Sequence, residues 1–85
     1  MRHFKDPGFR PLYDALPERV RIAADKSFAL LEQDPKHPSL HFKRIKDDLW
    51  SVRVGRGYRA LAIEVVDGFH WFWIGSHADY DRLVD

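Results

Sequence analysis

The apolar pattern of this chain changes period once, at Asp34-Pro35, and that switch limits the fold more than any other feature. Before it, Phe9, Leu12, Tyr13 and Leu16 recur at i, i+3, i+4 and i+7, the spacing of one helical face. Pro17 breaks the stripe and suits the first turn of a second helix, where its missing N–H costs nothing. Val20, Ala24, Phe28 and Leu31 then keep one face apolar until Asp34, which the following proline pushes out of the α region. After the switch the period is two. Leu40 and Phe42 start a short irregular strand, Lys46-Asp47-Asp48 is a turn, and Trp50, Val52 and Val54 alternate cleanly with polar neighbours. Gly55-Arg56-Gly57 reverses the chain into a strand over 58–66. Asp67-Gly68 predicts a type I′ turn into a last strand over 69–75, with Phe69, Trp71 and Trp73 on one face and His70, Phe72 and Ile74 on the other. Residues 2–5 predict a short edge strand closed by Pro7-Gly8, and 76–85 reads as a polar tail apart from Tyr80, Leu83 and Val84. The class expected is α+β. An N-terminal helical hairpin packs through Leu12, Leu16, Val20, Ala24, Phe28 and Leu31 on one face of a small antiparallel sheet.

Eighty-five residues have room for one core, so 1–85 reads as a single domain. With no cysteine, neither disulfides nor a thiolate metal cluster can staple it, and packing must hold it alone. Apolar residues at 45% and aromatics at 14% make that feasible. No apolar run approaches the ~20 residues of a membrane span. The start, Met1-Arg2-His3-Phe4-Lys5-Asp6-Pro7, lacks the apolar stretch of a signal peptide. A soluble cytoplasmic protein is expected, with no membrane partner. Net charge is only +1, but it is segregated: residues 36–59 hold seven Lys and Arg against two Asp, a net +5 that leaves −4 for the rest. Such a window fits a basic face, or an ordinary solvated surface.

Among chemistries that can be tested by spacing, metal binding fails first. His37 and His41 are four apart, but Pro38 between them forbids the helix that would join two ligands, so no metal site and no cofactor are expected. Gly55-Arg56-Gly57 lacks the further glycines, lysine and helix of a phosphate loop. Ser27, Ser39, Ser51 and Ser76 lack the surroundings of an activated nucleophile. What remains is a pair of cations. Arg53 and Arg59 lie three residues either side of Arg56, so they should face each other across a hairpin on one sheet face. Like charges so placed either bind an anion or find local carboxylates such as Glu64, Asp79 or Asp81. His77 follows the last strand, with Tyr80 three residues on, and a histidine beside two arginines is a usual setting for acid–base chemistry.

The runs Pro38-Ser39-Leu40-His41-Phe42-Lys43, Trp50-Ser51-Val52-Arg53-Val54-Gly55, Gly57-Tyr58-Arg59-Ala60-Leu61 and Trp73-Ile74-Gly75-Ser76-His77-Ala78-Asp79-Tyr80 together resemble the RelE/ParE superfamily of bacterial toxins. The resemblance covers nearly the whole chain. It implies the toxin of a type II toxin–antitoxin pair, neutralised by a cognate antitoxin protein. RelE-like members are endoribonucleases that cleave mRNA, usually on the ribosome, through the ribose 2′-hydroxyl and without a metal. On that resemblance Arg59 binds the scissile phosphate, His77 is a general acid or base, and Tyr80 stacks on a base. Arg53 is a second phosphate contact, and Lys43, Lys46 and Arg56 complete the basic set that grips the RNA backbone. Two features depart from the pattern: the net charge is nearly zero, and Asp79, Asp81 and Asp85 would repel RNA unless they serve the antitoxin contact or pair with Arg82. ParE-like members share the fold, poison DNA gyrase and lack the catalytic set; a gyrase-binding toxin and an inert interaction module of the same fold are the alternatives.

Overall fold

Alternation along residues 43–76 builds a sheet whose two faces meet different surroundings. The computed structural model describes residues 1–84; Asp85, the last of the tail carboxylates, lies outside them. Five strands, β1 (Arg2–Lys5), β2 (Lys43–Lys46), β3 (Leu49–Val54), β4 (Tyr58–Val65) and β5 (Gly68–Ser76), form one sheet in the order β1-β5-β4-β3-β2. β2 to β5 are the expected antiparallel meander. β1 instead runs parallel to β5, from Arg2 opposite Gly68 to Lys5 opposite Trp71, so the sheet is mixed rather than antiparallel. The cause is the connection: after β1 the chain crosses through the helices to the far edge, and β1 is left lying along β5.

The helices are α1 (Phe9–Asp14), α2 (Glu18–Gln33) and α3 (His77–Val84). α1 packs on β5 and α2 on β3, so each helix is held mainly by the sheet. Phe9 and Phe28 meet edge to face at 6.0 Å, and Tyr13 donates to Asp25 at 2.7 Å. Leu16, Val20, Ala24, Phe28 and Leu31 are buried as expected, but Leu12 is 36% exposed. In a helix of only six residues Phe9 holds the sheet contact and Leu12 is turned away from it. No helix among the described residues is long and apolar enough to cross a membrane.

Four further departures have local causes. The polar tail is helical: the Ser76 hydroxyl accepts from the Asp79 N–H at 3.1 Å, a Ser-x-x-Asp cap that opens α3. Leu40 lies in a 3₁₀ turn, Pro38–Leu40, capped by the His37 ring, and not in a strand. On β5, Leu61 pairs with Trp73 and Ala62 with Trp71, so Phe72 is an extra residue. Such a bulge exchanges the faces of everything beyond it, which buries Ile74 in the core and turns Trp73 outward. Finally, Val65 pairs with Gly68, so Val66-Asp67 makes the last turn, and neither takes the positive φ of a type I′ turn. Gly68 is needed for a different reason: a Cβ there would run into the Arg2 carbonyl of the parallel strand.

Trp71 sits at the centre of the core. It meets Phe28 edge to face at 5.0 Å and donates from Nε1 to Nδ1 of His3 at 3.0 Å. Phe28→Ala is expected to cost ~3–5 kcal/mol in a denaturant titration; a loss below about 1 kcal/mol, the range of surface changes, would take Phe28 out of the core. Burial lowers His3 below its usual 6.5, with Glu32 opposing and the N-terminal ammonium and Lys5 reinforcing. The unfolded chain then binds the extra proton, so this contribution to stability is present above pH 6.5 and is lost as pH falls below it towards the lowered value. Across that window the wild type should lose urea stability faster than His3→Asn, which keeps an acceptor for Trp71 and cannot titrate. Equal slopes would contradict the assignment.

Candidate functional site

Arg53 and Arg59 stand directly opposite one another at the ends of β3 and β4. The loop between them closes because Gly55 and Gly57 take φ of 51° and 78°, values that residues with a Cβ rarely adopt. Val52 and Val54 belong to the core under α2, so the intervening Arg53 and its partner Arg59 project from the opposite, open face of the sheet. α3 lies over this same end. Its first N–H, from His77, donates to the Gly57 carbonyl at 2.7 Å, and Tyr80 one turn later places its ring 5.1 Å from the Arg59 guanidinium carbon.

Arg59 is thereby 7% exposed, and its buried Nε has no hydrogen-bond partner among the described residues. Neither arginine forms an ion pair among them. The three carboxylates expected as local partners of the pair are engaged elsewhere: Glu64 accepts from Trp50 at 2.9 Å, Asp79 meets Arg82 at 3.1 Å, and Asp81 meets His77 at 3.2 Å. A cation–π contact returns ~0.5–2 kcal/mol, less than the several kcal/mol of desolvating a guanidinium. The balance favours an anion at this point.

A cleft of about 260 Å³ opens beside the pair, lined by His41, Arg53, Gly57, Tyr58, Arg59 and His77. His77 Nδ1 is held by Asp81, and an ionised carboxylate can only accept, so in the neutral ring Nδ1 carries the proton and Nε2 is left with its lone pair. A larger cavity of about 350 Å³ lies on the helical side between Lys5, Phe9, Arg10, Tyr13, Asp25 and Phe28. Its groups are mostly satisfied, Arg10 by Asp14 and Tyr13 by Asp25, so it lacks the uncompensated charge of the cleft.

Of the residues singled out from the sequence, Arg53, Arg59 and His77 line one cleft, and Tyr80 lies beneath Arg59. Tyr80 is itself 7% exposed with its ring taken by the guanidinium, so it supports the arginine and offers no free face for a base. Lys43 and Lys46 sit on edge strand β2, opposite Ser51 and Leu49, and Arg56 is at the hairpin tip; all three are exposed and outside the cleft. Asp79 pairs with Arg82, one of the arrangements expected for the tail acids. Missing from the sequence reading were His41, considered there only as a metal ligand, and the orienting role of Asp81. The second was legible, since the Ser76-x-x-Asp79 cap predicts a helix and a helix brings residues 77 and 81 together. No group of three or more His, Asp or Glu side chains that could hold a metal occurs among the described residues.

A family model described as a ParE-like toxin domain matches residues 18–82. Among solved structures, the RelB–RelE antitoxin–toxin complex from Methanococcus jannaschii is similar at TM-score 0.72 and 17% identity, over 93% of this chain and 96% of that one. A copper-bound point mutant of a toxin from Helicobacter pylori is similar at TM-score 0.65 and 12% identity, over 93% of this chain and 97% of that one. The isolated RelE toxin of E. coli gives TM-score 0.64 at 12% identity, over 95% and 93%. At these identities the likeness is one of fold. Among curated proteins, none matches the chain by sequence.

The anion seat can be tested without any assumption about substrate. Charge-assisted hydrogen bonds contribute ~1.5–3 kcal/mol, so Arg59→Gln should weaken inorganic phosphate binding, followed by NMR titration, by at least roughly tenfold. Lys43→Gln should leave it nearly unchanged. Equal affinity in Arg59→Gln and wild type would remove Arg59 as the seat.

Proposed function

The chain belongs to the ParE-like toxin domain family, and from that premise we propose that it is the toxin of a type II toxin–antitoxin pair, acting in the cytoplasm as a metal-independent endoribonuclease on mRNA at the ribosome. One observation carries this reading: an arginine buried without a counter-charge among the described residues shares a cleft with a histidine whose Nδ1 is held by a carboxylate. Cleavage through the 2′-hydroxyl needs a cation where the phosphorane gathers charge and groups that move two protons. Arg59 supplies the cation, Arg53 orients the phosphate, and His77 exchanges one proton through Nε2. Tyr80 holds Arg59 in place. Lys43, Lys46 and Arg56 contact the backbone of the RNA beyond the cleft.

The antitoxin acts by occlusion in this reading. Phe72 is 37% exposed on β5, Ile63 on β4 is similarly open, and Trp73 is half-buried, more apolar surface than the open face needs for folding alone. A segment of the antitoxin covers this face and masks Arg53 and Arg59. Hydrogen exchange of residues 50–64 should slow in the complex; unchanged exchange there would rule occlusion out.

A gyrase-directed toxin is the second reading, favoured by the ParE-like match and by a net charge of only +1. Arrest of growth with loss of translation supports the nuclease, arrest with DNA-damage signalling supports gyrase, and no arrest on expression supports an interaction module. Arg59→Ala and His77→Ala should each abolish toxicity with fold and antitoxin binding nearly intact, in line with losses of ~10²–10⁴ in rate for a positioned acid or base. Activity should persist in EDTA, and products should end in 2′,3′-cyclic phosphate or 3′-phosphate. Full-rate cleavage by His77→Ala on translating ribosomes would remove His77 from the mechanism.

A further inference from the structure

His41 stands apart from the other histidines. His3 accepts from Trp71, His37 bonds Ser39, His70 meets Asp6 and His77 meets Asp81, whereas the His41 ring has no partner among the described residues. It lines the cleft with Arg53, Arg59 and His77. The backbone holds it there at some expense. Its φ of 44° and ψ of 42° are left-handed, a conformation that a residue with a Cβ adopts only when its surroundings impose it. Here they do. Leu40 before it is 1% exposed, and Phe42 after it packs against Trp50 at 4.8 Å and Phe69 at 5.0 Å. Two anchored neighbours fix the turn, and the residue between them is directed to the cleft.

We propose that His41 is the second proton-transfer group of this cleft, taking the proton of the ribose 2′-hydroxyl while His77 delivers one to the leaving 5′-oxygen. The assignment rests on the endoribonuclease reading and completes it. As His41 removes the proton, the 2′-oxygen–phosphorus bond forms. As His77 donates, the phosphorus–5′-oxygen bond breaks, leaving a 2′,3′-cyclic phosphate and a 5′-hydroxyl. The division of roles follows the charges. Asp81 provides the counter-charge that a protonated His77 requires, and no carboxylate among the described residues lines the cleft, which His41 shares with Arg53, Arg59, Tyr58 and His77. A ring without a partner is free to accept, which suits His41, and a ring backed by a carboxylate suits the donor, His77.

The experiment compares wild type, His41→Gly and His77→Ala on translating ribosomes, with ordinary mRNA and with mRNA carrying a bridging 5′-sulfur at the cut linkage. Glycine adopts the left-handed conformation freely, so His41→Gly should keep or raise the thermal midpoint, which separates lost chemistry from lost fold. On ordinary mRNA both variants should slow by ~10²–10⁴. A thiolate leaves without protonation, so the sulfur substrate should restore His77→Ala towards the wild-type rate and leave His41→Gly slow. Cleavage of ordinary mRNA by His41→Gly at the wild-type rate would overturn the proposal, as would rescue of His41→Gly by sulfur. A wild type that cleaves neither substrate would instead dismiss the endoribonuclease reading, and the proposal with it.

Discussion

Arg59 carries a charge out of water to a place where no carboxylate meets it among the described residues, and much of the molecule is arranged so that it can stay there. Its strand is central, with β3 on one side and β5 on the other, so its backbone cannot shift towards solvent. The tyrosine that covers it belongs to α3, which is tied to the hairpin turn through His77 and Gly57. Desolvation strengthens every interaction the guanidinium makes with an incoming anion, because the effective dielectric falls. A fold of this size has little stability in reserve, so an uncompensated buried cation is tolerated only if the surrounding packing over-determines it.

That packing comes from the other face. Trp71, Phe28, Phe9 and Phe42 form an aromatic cluster beneath the helices, and the strands bearing Arg53 and Arg59 contribute Val52, Val54 and Ala60 to the same core. Apolar burial is thus concentrated on one side of the sheet, and the open side is free to carry charge. The bulge at Phe72 links the two. It keeps Ile74 in the core while turning Trp73 outward, where its indole lies over Gly75, directly across from Arg59. A Cβ at residue 75 would come to 2.5 Å from that indole, so the last glycine of β5 makes room for the ring.

Periodicity made most of the scaffold legible, and the Arg53–Arg59 pairing followed from counting residues either side of Gly55-Arg56-Gly57. Most of the departures are non-local in origin. Parallel pairing of β1 with β5 joins residues more than sixty positions apart, which no local pattern encodes. A bulge leaves no trace in alternation until the partner strand is known, so Trp73 and Ile74 could not be told apart. Gly68 reads from the sequence as a turn residue, and only the neighbouring backbone of Arg2 reveals the close approach that requires it. The short helix α3 was the avoidable miss, because Ser76 and Asp79 have the spacing of a cap and Tyr80, Leu83 and Val84 share a face. His41 had no such signal; its position depends on two flanking residues being buried in a core assembled from elsewhere.

Net charge misjudges a surface like this one. The +1 total counts Asp79 and Asp81 against the basic window, yet Asp79 is paired with Arg82 and Asp81 is held by the His77 ring. Exposed pairs of that sort add only about 0–1 kcal/mol to stability, so holding these acids off the arginines matters more through position than through energy. Asp79 and Asp81 are held along α3 and Glu64 by Trp50, so among the described residues the arginines that line the cleft are Arg53 and Arg59, whose interaction with a phosphate is short-range and only weakly screened. Steering from a distance is governed by the total and will be weak. Capture at the cleft is governed by two cations facing each other across a hairpin, and there the sign is unambiguous.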